Sequence, residues 1–123
     1  MKDRIFKLSS FLQPSQGEPI RSVITQTPEA AVVAWFVQSG QRVAPHVHPH
    51  GQDTWTVISG HGEYQVDALG RTFPIVVGDV VVAPTGAVHG VLCTSAEPLV
   101  FVSVVSPAEA GYWPFRDALV DGQ

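Results

Sequence analysis

The chain has one cysteine, Cys93, and no apolar run long enough to span a bilayer; even PLVFVSVV, residues 98–105, stops after eight residues. A single cysteine excludes an internal disulfide framework and fits a reducing compartment. Charge is scarce too: charged residues make up 15%, with 7 Lys+Arg against 11 Asp+Glu and a net charge of −4. No basic cluster occurs, so the electrostatic footprint of a nucleic-acid or anionic-membrane binder is missing. The N-terminus, MKDRIFKLSSFLQPS, starts basic but never develops the apolar stretch of a signal peptide. These absences lead us to expect a cytoplasmic protein with neither nucleic acid nor membrane as partner.

What is present is a hydrophobic content of 45%, 11 glycines and 10 prolines in 123 residues. A chain of this size forms one domain and buries about two thirds of its extended surface on folding. Short β-branched runs punctuated by glycine and proline predict about nine strands: within 18–26, then 30–38, 41–47, 53–58, 63–67, 71–77, 80–83, 88–94 and 98–105. No stretch of helical period competes, so the fold class is all-β, an antiparallel sandwich or barrel. Residues 1–12 fit either a short helical turn or an edge segment. The run AAVVAWFVQ, residues 30–38, is apolar on both faces, with Trp35 and Phe36 pointing opposite ways. Such a strand is sandwiched between layers or lies at a subunit contact, and we expect a homodimer.

Histidine is concentrated: His46, His48 and His50, with Asp53, fall within eight residues ahead of a strand. In an extended chain residues two apart share a side, so His46 and His48 can aim at one point. Asp53 and the distant His89 can complete a metal-ligand set. Parity decides between Asp53 and Gln52. With Asp53 inward, Trp55 and Val57 follow it into the core and Thr54 and Thr56 face out; with Gln52 inward, the threonines would fill the core. A carboxylate is also the stronger ligand for a hard or borderline cation. Gln52 is kept in reserve as a group behind the ligands. His50, in a loop after Pro49, and His61, just past Gly60, are read as solvent-facing.

The spacing Gly40, His46, His48, Asp53, Gly60 resembles the first signature of the cupins, G-x5-H-x-H-x3,4-E-x6-G, with Asp in place of Glu. Gly78, Pro84, Gly86 and His89 match the second, G-x5-P-x-G-x2-H-x3-N, with Cys93 at its final position. The resemblance covers the middle half of the chain and implies a small RmlC-like jelly-roll barrel: one domain over 1–123, its metal-site core at 40–94, with segments 1–17 and 106–123 peripheral. It implies His46, His48, Asp53 and His89 as ligands of one divalent ion, with Fe, Mn, Zn and Ni all open. Cys93 shares the parity of His89, but at about 3.3 Å per residue it lies some 13 Å further along the strand, so it is read as core. Trp55 is a candidate to line a substrate pocket or fill the barrel, and Arg42, sharing parity with His46, could hold an acidic substrate or lie in solvent. The tail aromatics Tyr112, Trp113 and Phe115 are expected to pack on the barrel rather than form a lid.

Three imidazoles and one carboxylate leave a divalent ion a net positive charge and, in six-coordination, two open positions. Cupins similar to this one include dioxygenases, isomerases, decarboxylases, lyases and ligand sensors. Sensor cupins are commonly joined to a DNA-binding domain, and in 123 residues we expect no room for one. The expectation is a metal-dependent enzyme on a small organic molecule, oxygen-using in first place and an isomerase or lyase in second. The alternative is a non-catalytic small-molecule-binding or sensor module.

Overall fold

A computed structural model describes residues 3–115. Ten strands follow one 3-10 turn at Leu8–Phe11: β1 Ser22–Gln26, β2 Ala31–Val37, β3 Arg42–Val47, β4 Gln52–Ser59, β5 Gly62–Gln65, β6 Thr72–Ile75, β7 Val80–Ala83, β8 His89–Cys93, β9 Leu99–Ser106 and β10 Trp113–Pro114. They form two antiparallel sheets, ordered β1-β2-β9-β4-β7 and β10-β3-β8-β5-β6. This is the expected all-β jelly roll, and nine of the ten strands fall where glycine and proline punctuation places them. No helix among the described residues is long and apolar enough to cross a membrane.

The tenth strand corrects the reading of the tail. Trp113 and Pro114 pair with Val47 and His46, so the chain returns to the strand that carries a candidate ligand. Tyr112 and Trp113 stay largely exposed, and Tyr112 sets its ring 5.2 Å from that of His46.

Alternation along β4 sets the core. Asp53, Trp55 and Val57 are buried, whereas Gln52 and Thr56 are exposed and Thr54 is intermediate. Trp55 stacks on Phe101 of β9 at 4.1 Å and meets Tyr64 of β5 edge-on at 5.2 Å, tying the two sheets together. Trp35 of β2 also turns inward, stacked on Phe101 at 6.1 Å. Burying side chains of this size contributes about 2–3 kcal/mol each.

Strand β3 breaks the simple parity. Its pairing with β8 shifts register between Val43 and His46, so Val43 and His46, three residues apart, are both buried. A bulge supplies the extra residue, and Arg42 stays exposed. Gly90 permits the bulge: a Cβ there would lie 2.8 Å from the Val43 carbonyl oxygen and 3.0 Å from Pro45 N. Gly51 plays the same part for the tail, because a Cβ there would meet the Ala110 Cβ at 2.5 Å and the Ser106 carbonyl at 2.7 Å.

Candidate metal centre

His46 comes from β3, His48 from the residue just past it, Asp53 from β4 and His89 from the first position of β8. His46 and His89 are register partners across β3 and β8, which brings residues 43 positions apart side by side. One ligand atom from each of the four side chains lies within 4.8 Å of the others. His46, Asp53 and His89 are buried, and His48 is half-buried.

Each imidazole is held from behind. Nδ1 of His46 donates to the Ala44 carbonyl at 2.8 Å, that of His48 to Gly111 at 2.8 Å and that of His89 to Ala87 at 3.0 Å. A carbonyl only accepts, so these contacts assign the proton to Nδ1 and leave Nε2 as the free donor atom of each neutral ring. Asp53 is anchored likewise: Ser103 Oγ donates to its Oδ1 at 2.5 Å. The other oxygen, Oδ2, stands 3.0 Å from His89 Nε2 and 3.3 Å from His48 Nε2.

That convergence tests the fit to a cation. Two nitrogen lone pairs facing a carboxylate oxygen repel unless a positive centre lies among them. Donors held at about 2.1 Å around one ion stand about 3 Å apart, close to the 3.0 and 3.3 Å between Oδ2 and the two Nε2 atoms. The ligand chemistry and the anchoring behind it both fit a divalent transition metal.

Protonation tells the same story. Burial, then the neighbouring His89, pulls His46 from 6.5 down to about 4, so it is neutral and able to ligate at pH 7. Burial alone would raise Asp53, but its contacts with His48, His89 and Ser103 outweigh it and hold the carboxyl well below the usual range. His48 is also pulled down by burial, and its contacts with Asp53 and the Gly111 carbonyl more than reverse this. Burial, and then the charge of Asp53, keeps the Tyr64 hydroxyl protonated far above its ordinary value.

The remaining candidates separate clearly. Gln52 is exposed at the start of β4, outside the cluster. His50 is exposed, its backbone N–H bonded to Ala110, and His61 is exposed against Thr94. Cys93 is buried, its thiol directed to the carbonyls of Ser95 and Glu97. Trp55 lines the cavity above the cluster and is also core; its buried Nε1 has no hydrogen-bond partner among the described residues. Ser103, and the place of Tyr112 beside the cluster, escaped the sequence reading. A lone serine amid LVFVSVVS was the available signal for the first. For Tyr112, whose ring lies 5.2 Å from that of His46, only the β10 pairing reveals the position.

The cavity, about 500 Å³, opens between the two sheets, with Val33, Trp35, Trp55 and Val105 as apolar walls above the cluster.

A model of the cupin domain family matches residues 34–105. Among solved structures, a conserved protein with a double-stranded β-helix domain from Klebsiella pneumoniae subsp. pneumoniae is 48% identical, with 92% of this chain and 97% of that one covered and a TM-score of 0.89. KdgF from Halomonas sp. is 25% identical over 77% of this chain and 85% of its own, with a TM-score of 0.67. TT1209 from Thermus thermophilus, 22% identical over 85% of this chain and 97% of its own with a TM-score of 0.77, shares the fold. No curated protein matches the chain.

Proposed function

The chain belongs to the cupin family, and from that premise we propose that it is a metal-dependent enzyme converting a small organic molecule inside the barrel. The observation that carries this reading is the convergence of three backbone-anchored imidazoles and a serine-anchored carboxylate at the base of a largely apolar cavity. His46, His48 and His89 through Nε2, and Asp53 through Oδ2, would hold one divalent ion. Such an ion, when bound, supplies Lewis acidity toward a substrate oxygen or, as iron or manganese, redox chemistry with dioxygen.

The chain's own groups do the rest. Ser103 fixes the carboxylate so that Oδ2 faces the imidazoles, and the three carbonyls fix the rings. Val33, Trp35 and Val105 favour an apolar substrate body and limit water at the cluster. Tyr112, across the His46 ring, covers the side on which the tail returns. Within the class, an oxygen-using reaction comes first, since this ligand set suits redox-active iron or manganese.

The test is oxygen uptake by iron-loaded protein against catechols, thiols and 1,3-diketones, beside anaerobic assays on sugar phosphates and ketoacids. Oxygen-coupled turnover supports the reading; turnover only without oxygen makes it an isomerase or lyase. Binding without turnover under any metal makes it a binding module.

A further inference from the structure

The cavity that ends at the cluster begins at a rim bearing Arg21, Arg42 and Glu18. Both arginines are exposed, and among the described residues neither forms a salt bridge, with Glu18 or with any other carboxylate. The chain has only 7 Lys+Arg and a net charge of −4, yet two guanidiniums without carboxylate partners among the described residues line this one mouth. An arginine left without an ion pair offers its planar fork to a carboxylate from outside.

We propose that the cavity takes a small organic monocarboxylate, its carboxylate held at the rim by Arg21 and Arg42 and its opposite end turned toward His46, His48 and Asp53. This rests on the reading of the cavity as a substrate site and names the substrate class. The walls of Val33, Trp35 and Val105 suit an apolar body between the two polar ends. The rim suits a single carboxylate, since two guanidiniums against Glu18 leave one surplus positive charge there.

The experiment is a calorimetric titration of zinc-loaded and of metal-free full-length protein with 4-oxopentanoate and, in parallel, with 4-oxopentanamide. The acid is expected to bind at least about tenfold more tightly than the amide, with a preference that shrinks as salt is raised. Arg21→Gln and Arg42→Gln are each expected to weaken the acid about tenfold, to leave the amide unchanged and to retain zinc by elemental analysis. Equal binding of acid and amide overturns the proposal. So does a preference for the acid that survives both substitutions and disappears with zinc, since the ion alone would then hold the carboxylate. Failure to load zinc at all counts against the metal site, and the metal-free titrations then decide the role of the arginines by themselves.

Discussion

Ser103 and Asp53, fifty residues apart, are joined at 2.5 Å from adjacent strands, the serine hydroxyl donating to the carboxylate oxygen that faces away from the histidines. The bond leaves the second oxygen free to meet them. Ser103→Ala should preserve the fold and weaken metal binding by about 10- to 100-fold, as loss of a group orienting a ligand does elsewhere. Competition titration with a chromophoric chelator measures this; unchanged affinity would show that Asp53 holds its orientation alone.

Without metal, stability should fall on acidification. His46 titrates near 4 in the folded chain and near 6.5 when free, so between these values the unfolded chain binds a proton that the folded chain refuses. Stability contributed by His46 is therefore present above 6.5 and lost as pH falls toward 4, by at most about 3 kcal/mol. His48, raised in the fold, acts oppositely: its contribution is present below 6.5 and lost as pH rises through its folded value. Urea midpoints of chelated protein at about pH 7, 6, 5 and 4 should decline, and less steeply in His46→Gln. A flat profile would contradict the buried, neutral His46.

Metal should stabilise the barrel without being needed to form it, because Trp55, Phe101, Leu99 and their neighbours build a core independent of the cluster. At a hundred times the dissociation constant, binding adds about 2.7 kcal/mol. A chelated sample should still melt cooperatively, roughly 10 °C lower. Loss of the cooperative transition on chelation would refute this.

The outer face of the β1-β2-β9-β4-β7 sheet carries Val32, Phe36, Val80, Val82, Val102 and Val104 and no charged residue on β2, β4, β7 or β9; Val80 and Val82 are 58% and 51% exposed. We propose that a second copy of the chain covers this face, since a flat, uncharged surface can pair with itself about a two-fold axis. Light scattering at micromolar concentration should give about twice the 13.2 kDa chain mass, and Val82→Lys should halve it. A monomeric wild type would rule the pairing out.

Strand β4 shows how much was legible beforehand. Asp53, Trp55 and Val57 sit inside and Gln52 outside, because a two-residue period leaves only one way to bury a tryptophan and a valine together. The same rule failed in β3, where the bulge opposite Gly90 inserts a residue and buries Val43 as well as His46. Ser103 and the returning β10 were illegible for another reason. Their partners, Asp53 and His46, are distant in sequence, and strand order between sheets follows from packing rather than from any local pattern.

The central claim, one divalent ion held by His46, His48, Asp53 and His89, is tested most directly by the metal content of anaerobically purified protein and its variants. One equivalent per chain is predicted in the wild type and in Gln52→Ala, His50→Ala and His61→Ala, with most of it lost in His48→Ala, Asp53→Ala and His89→Ala. A wild type that takes up no divalent ion, or a Gln52→Ala protein that loses metal while Asp53→Ala keeps it, would contradict the claim.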